Sequence, residues 1–206
     1  MKYLISLLWV GFASSAAVAA DPVNFCATPA EVARVRAELA DKPPGPLGGP
    51  ARKLGLSEAV VASALRADQA HGVAASHFPD IWKSLEQWQD AVTLVTKGAD
   101  VFEILGPVGE GTPSTRSKFF NLKREGPGLA GHLRPDLYSV IYLLAVPGKD
   151  GGLRGVSFHA QSGESVFAVF VPGEGATPPP AVIKQFEATQ RLIRSLPSVC
   201  PVKQGP

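Results

Sequence analysis

DLYSVIYLLAVPGKDGGLRGVSFHAQSGESVFAVFV, residues 136–171, is the stretch that decides the fold of this 206-residue chain. It contains three runs of β-branched and aromatic residues, separated by the turn sequences PGKDGG and QSGE. Strands that follow one another through tight turns pair antiparallel, because a parallel pairing would need a long crossover connection. The stretch therefore predicts an antiparallel β-meander.

A last helix is predicted after the meander. Five residues recur at helical spacing on one face: Val182, Phe186, Thr189, Ile193 and Leu196. Such an apolar stripe is typical of a helix that packs on a core. We expect this helix to cover the sheet.

The residues before the meander predict short helices followed by further strands. Thr28 and Ser57 are typical N-cap residues, and a third amphipathic segment carries Trp82, Leu85 and Trp88 at helical spacing. After about residue 91 the pattern changes to short alternating runs between glycine and proline turns. The prediction is an α+β fold with small N-terminal helices, an antiparallel β-meander sheet and a C-terminal packing helix.

We divide the chain into three parts. Residues 1–20 contain Lys2, an apolar run and then small residues, which is the order of a cleavable signal peptide. Residues 21–75 form an N-terminal helical segment with a Pro/Gly linker, and residues 76–200 form the antiparallel-sheet domain. A periplasmic or secreted protein with no membrane span after cleavage is expected, and an uncleaved membrane anchor is the alternative.

The chain has two cysteines, Cys26 and Cys200, one near each end of the expected mature protein. In an oxidising compartment, a single disulfide between them is the simplest interpretation. Two unpaired cysteines are the alternative. A catalytic thiol is disfavoured because neither cysteine has a nearby histidine or a Cys-x-x-Cys partner.

Charge and motifs exclude several functions. A formal net charge of +2 is too small to indicate a nucleic-acid partner. The chain has no HExxH zinc motif, no GxSxG nucleophile elbow and no phosphate-binding loop between a strand and a helix. These enzyme and nucleotide-binding classes are therefore set aside.

His132 is the residue most suggestive of a ligand site. In GLAGHLRPD, residues 128–136, strand alternation turns His132 and Arg134 to the same side. The same alternation puts Tyr138 and Tyr142 on one face of the following strand. An imidazole beside a guanidinium suits an anionic ligand or a metal centre. A lone strand histidine is nevertheless more often solvated or hydrogen-bonded, so the residues alone leave both interpretations open.

From about Phe78 to Leu196 the chain resembles the haem-utilisation carrier family typified by ChuX and HutX. The resemblance lies in four segments: HFPDIWKSLEQW, VTLVTKGADVFEILGPVGEG, KFFNLKREGPGLAGHLRPD and VIKQFEATQRLIRSL. The most specific feature is the FNLK segment, which is followed about ten residues later by a Gly-His-Leu-Arg strand.

This resemblance implies a non-enzymatic haem binder that forms a homodimer, with haem held against the sheet. His132 matches the family histidine of the Gly-His strand and is the expected iron ligand. Arg134, Lys118 or Arg116 would meet the haem propionates. Proteins of haem transport would then be its partners.

One departure from the family bears on the iron ligands. Some members have a second histidine in a Leu-Val-His segment, where this chain has Thr96 and Lys97 after Leu94-Val95. Tyr138, Tyr142 or His159 would then be the second ligand, or the iron would have one protein ligand. Two other functions stay open, an exported structural or interaction module that binds no haem and a haem-degrading enzyme.

Overall fold

A computed structural model describes residues 25–42, 45–98, 100–123, 126–148, 151–173 and 178–200. The predicted signal peptide, residues 1–20, lies outside these ranges. The α-helices are α1 (Pro29–Leu39), α2 (Gly48–Leu54), α3 (Glu58–Ala64), α4 (Phe78–Leu85) and α5 (Pro180–Ser195). Two short 3-10 turns span Ala75–His77 and Pro135–Leu137. In the described ranges, no helix is both long and apolar enough to cross a membrane.

The strands form two antiparallel sheets. They are β1 (Ala70–Ala74), β2 (Val92–Lys97), β3 (Asp100–Leu105), β4 (Gly111–Pro113), β5 (Phe120–Leu122), β6 (Gly131–Leu133), β7 (Tyr138–Val146), β8 (Leu153–Ala160) and β9 (Ser165–Phe170). The larger sheet has the order β1-β7-β8-β9-β2-β3, and the small sheet has the order β4-β5-β6. The predicted α+β class and the β7-β8-β9 meander are confirmed.

Both faces of the six-stranded sheet are buried, each against a different layer. Helices α1 to α3 cover one face, which we call the helical side, where Val140, Tyr142 and Leu144 of β7 lie in the core. Helices α4 and α5 and the small sheet cover the other face, with Ile141 and Leu143. Neighbouring residues of β7 therefore enter different cores, as strand alternation requires. The predicted stripe of α5 is confirmed, since its buried residues are Val182, Phe186, Thr189 and Ile193.

Aromatic side chains fix the small sheet to the large one. The ring of Phe120 in β5 meets Phe78 of α4 edge to face, with centroids 5.1 Å apart. Beneath them Phe158 and Phe167 stack at 4.5 Å. The indole N–H of Trp82 donates to the Gly109 carbonyl just before β4, at 3.1 Å. These contacts hold the small sheet in one orientation and leave its outer face exposed.

The N-terminal segment confirms two predicted caps and corrects one helix boundary. Thr28 begins α1 with a complete capping box, and the Ser57 hydroxyl accepts from the Val60 N–H. The pattern of residues 55–72 predicts a helix capped by Ser57, but this helix ends at Ala64, because residues 70–74 are strand β1 and pair with β7. The predicted Pro/Gly linker also contains a helix, α2.

Strand β1 was not predicted from the sequence, and Gly72 within it shows why. It pairs with Tyr142, and a Cβ at Gly72 would lie 2.5 Å from Cε1 of the tyrosine ring. A glycine inside a strand often marks such a close approach. The ring of Tyr142 fills the space over Gly72. Strand β1 is therefore stabilised by its contact with the neighbouring strand β7.

A β-bulge in β7 changes which side chains share a face. Tyr138 pairs with Ala160 but Val140 pairs with His159, so Ser139 is an extra residue. Its hydroxyl donates to the carbonyl oxygens of His159 and Ala160. The prediction that Tyr138 and Tyr142 lie on one face is therefore wrong, because the bulge reverses the alternation between them.

The two ends of the described chain meet at strand β1. Cys26 and Cys200 form a disulfide, with their Cα atoms 5.4 Å apart. Next to it, the Val199 N–H donates to the Gly72 carbonyl at 2.9 Å, and Ser198 forms a bridge with Val73. The C-terminal segment therefore lies along the outer edge of β1.

His159 is buried beside a cavity of about 100 Å³ on the helical side of the sheet. Its side chain is 1% exposed, and its Nε2 lies 2.8 Å from the Ser157 hydroxyl. Burial lowers the pKa of His159 to about 4, because the charged imidazolium would lose its hydration. The ring is therefore neutral over the whole range in which an exposed histidine titrates.

We predict that replacing both cysteines by serine lowers the free energy of unfolding by about 2 to 5 kcal/mol. The disulfide closes a separation of 174 residues, so its loss frees the unfolded chain substantially. Urea unfolding of the parent and the double variant measures the difference. A thiol titration of the unreduced parent is the control, and two titratable thiols would contradict the prediction.

We predict that His159→Gln makes folding stability less sensitive to acid. The unfolded chain takes up a proton at this residue below about pH 6.5, whereas the folded chain does so only near pH 4. Stability at this residue is therefore lost as pH falls through that window, by about 3 kcal/mol. Urea unfolding at pH 7 and pH 4 measures it, with His77→Gln as the matched control. Equal losses in parent and His159 variant would contradict it.

Candidate functional site

The outer face of the small sheet carries His132. In β5, Phe120 and Leu122 point into the core, so Asn121 between them points outward. Asn121 pairs with His132 of β6, and Thr112 of β4 pairs with Asn121 on its other side. His132 is exposed.

Two neighbours hold the imidazole of His132. Its Nδ1 lies 2.8 Å from Oδ1 of Asn121. The ring of Phe119 lies against it at a tilt, with centroids 5.8 Å apart. Phe119 is itself 41% exposed. An imidazole and an exposed aromatic ring therefore sit side by side on an open surface, with Nε2 on the side of the ring away from Asn121.

Arg134 and Lys118 lie beside this pair, and both are engaged by Asp136. Arg134 donates to Asp136 through two nitrogens, at 2.7 and 2.9 Å, and Lys118 lies 3.8 Å from the same carboxylate. The hydrogen bonds from Arg134 hold the pKa of the Asp136 carboxyl below its ordinary value. The guanidinium carbon of Arg134 also lies 5.6 Å from the centroid of Phe119. Two of the three predicted cations, Arg134 and Lys118, are thus grouped on Asp136 beside the Phe119 ring that packs on His132.

The tyrosines predicted for the site lie elsewhere. Tyr138 packs against the rings of Phe78, Phe158 and Phe167 in the core beneath the small sheet, and burial raises its pKa to about 12. Tyr142 is 2% exposed on the helical side, and its hydroxyl lies 3.6 Å from Cys200 Sγ. The structure does not bring either phenol to the outer face that carries His132.

The position of the absent family histidine also lies apart from His132. Thr96 of β2 lines the cavity on the helical side, together with His159. His132 is on the small sheet, which packs on the opposite face of the six-stranded sheet. A cavity of about 100 Å³ is also small beside the ~300–1,000 Å³ that ligand pockets usually have. Within one chain, these positions do not face a common ligand.

Sequence reading misses two residues of the site, Phe119 and Asn121. Phe119 joins the surface around His132 to a groove of about 330 Å³, which Phe78, Lys118 and Asp136 also line. The signal for both residues was present in KFFNL, where alternation puts residues 119 and 121 on the face opposite to Phe120 and Leu122.

Comparison with known proteins gives a family and a curated relative. The family described as haem utilisation ChuX/HutX matches residues 72–189. The relative is the "Intracellular heme transport protein HutX" of Vibrio cholerae serotype O1. It is 26% identical over 142 residues, which cover 68% of this chain and 72% of the relative.

Solved structures share the fold. The crystal structure of ChuX has a TM-score of 0.67 at 18% identity, and the match covers 78% of this chain and 98% of ChuX. Holo-PhuS, a heme-binding protein from Pseudomonas aeruginosa, has a TM-score of 0.63 at 16% identity. That match covers 92% of this chain but 52% of PhuS, so this fold accounts for about half of the longer protein.

The relative corrects one expectation. A periplasmic or secreted location was inferred from residues 1–20, but the HutX relative is named as intracellular, so that inference is wrong. The family match spans more than half of the chain and includes both sheets and most of α5. The chain belongs to the haem utilisation family ChuX/HutX.

Proposed function

We propose that this protein binds haem through His132 and passes it on in haem utilisation, as a carrier and not as an enzyme. The observation that carries the proposal is the exposed imidazole of His132 beside the exposed ring of Phe119. Haem brings an iron that its porphyrin already holds, so one protein imidazole suffices as a ligand. The names of the HutX relative and of PhuS support the same ligand class.

The residues around His132 fit haem in chemistry as well as in position. The ring of Phe119 offers apolar surface for the edge of a porphyrin. Arg134 and Lys118 offer cations for the propionates, which would compete with Asp136 for them. Lys118 has 77% of its side chain exposed, so it can exchange partners at little cost.

The site gives haem a single histidine from this chain. Tyr138 is half-buried and Tyr142 is buried, both away from His132, and Thr96 replaces the other family histidine. We therefore propose that His132 would be the side chain of this chain that holds the haem iron, and that the haem would supply the cargo of the carrier. A single protein ligand would suit a carrier, because fewer contacts would have to be given up on transfer to a haem-transport protein.

We also propose that two copies associate through strand β3. This strand ends the described sheet, and three of its apolar side chains are exposed: Val101 at 57%, Phe102 at 55% and Leu105 at 67%. An apolar edge strand is prone to pair with another edge. The match to about half of PhuS supports a pair of such units as the working assembly.

We predict that His132→Ala weakens hemin binding by at least about tenfold, equivalent to ~1.4 kcal/mol. Hemin titration followed by the Soret band measures this, with about one haem per chain expected for the parent. His71→Ala is the matched control, since His71 is a partly exposed histidine in strand β1 of the large sheet. Unchanged binding in the His132 variant would remove it from the role.

The same titration separates the alternative functions. A flat titration of the parent would favour a module that binds no haem. Loss of the Soret band with reductant and oxygen, in the presence of catalase, would indicate haem degradation. A carrier keeps its Soret band under those conditions.

We predict that Leu105→Glu converts the dimer to monomer, because it puts a charge into an apolar contact. Sedimentation velocity of the parent and variant measures the change. Leu137→Glu is the matched control, since Leu137 is 50% exposed but lies outside β3. A variant that sediments like the parent would exclude β3 as the interface.

A further inference from the structure

We infer that Asn121 is a positioning residue of the haem site, which sets the nitrogen that His132 offers to the iron. The inference deepens the proposed function and rests on it. Asn121 makes no contact with iron in this scheme. It acts through the imidazole, by selecting one of the two tautomers of the neutral ring.

The contact between the two side chains fixes the tautomer. A neutral imidazole carries one N–H, and the other nitrogen has a lone pair. Because the carbonyl oxygen of Asn121 can only accept, the 2.8 Å contact places the hydrogen of His132 on Nδ1. The lone pair is then on Nε2, which is the nitrogen farther from the backbone. A histidine that binds a metal commonly uses its other nitrogen in this way.

Asn121 is well placed to hold this geometry. It lies in the central strand of the small sheet, paired with Thr112 on one side and His132 on the other. Its two neighbours in β5, Phe120 and Leu122, are buried in the core. The backbone of Asn121 is therefore fixed opposite His132, and the ring of Phe119 packs against the imidazole on another side.

The neutral amide also sets how strongly the imidazole can bind. A carboxylate acceptor would draw the Nδ1 proton more strongly and make Nε2 a better donor to iron. An amide acceptor orients the ring with a smaller effect on its basicity. Asn121 thus gives an oriented ligand of moderate strength, which is appropriate for a carrier that must release its haem.

The first test uses the full-length chain without haem. In ¹⁵N-edited NMR spectra at a pH where His132 is neutral, we expect the hydrogen on Nδ1 in the parent. Asn121→Leu should lose this preference, while Asn121→Asp should keep it. Thr112→Val is the matched control, because Thr112 is on the other side of Asn121 in the same register. A hydrogen on Nε2 in the parent, or no change in Asn121→Leu, would overturn the inference.

The second test uses the same variants with bound hemin. Asn121→Leu should bind about 10- to 100-fold more weakly than the parent. In the ferrous proteins, the iron–histidine stretching frequency in resonance Raman spectra should fall in Asn121→Leu and rise in Asn121→Asp. A merely structural role would leave that frequency unchanged, and an unchanged frequency overturns the inference.

The two tests distinguish the inference from the proposed function. If the parent binds no hemin, or if His132→Ala binds it unchanged, the proposed function fails while the tautomer result still stands. If His132→Ala fails to bind but the Asn121 variants match the parent in both measurements, the proposed function survives and the role of Asn121 is excluded.

Discussion

Burial of both faces of the six-stranded sheet is the constraint on which the rest of this structure depends. Each residue of the central strands must enter either the core under the helices or the core under the small sheet. A shift by one residue would exchange the two sets, so the register is strongly determined. The bulge at Ser139 makes such an exchange within β7, and the serine hydroxyl donates to backbone carbonyls of β8 there.

Sequence patterns predicted the helices and strands that depend only on residues close together in the chain. The β7-β8-β9 meander follows from alternation and turn residues, and the face of α5 follows from its spacing. The caps at Thr28 and Ser57 need only the residues within one turn. Strand β1 was not predicted, because Gly72 is stabilised in a strand by Tyr142, which lies 70 positions away in sequence. The bulge was missed for a similar reason, since it is defined by the pairing of β7 with β8.

In the candidate site, too, features set by nearby residues were predicted and features set by strand pairing were not. Alternation put His132 and Arg134 on one side of their strand, and the family motif singled out His132. Asn121 could not be paired with it from the sequence, because that pairing depends on the register between β5 and β6. The two tyrosines were assigned to the site by alternation that the bulge interrupts. A location outside the cell was inferred from the order of residues at the N-terminus, and the HutX relative, which is named as intracellular, contradicts that location.

The C-terminal segment that lies along β1 has a consequence for the size of any assembly. Val199 and Ser198 occupy the backbone groups at that end of the described sheet, and the disulfide secures the segment there. Of the two outer strands, β3 is then the one whose edge can accept a new strand. When two copies join edge to edge at β3, both ends of the combined sheet are capped, and growth stops at a closed pair instead of continuing into a fibre.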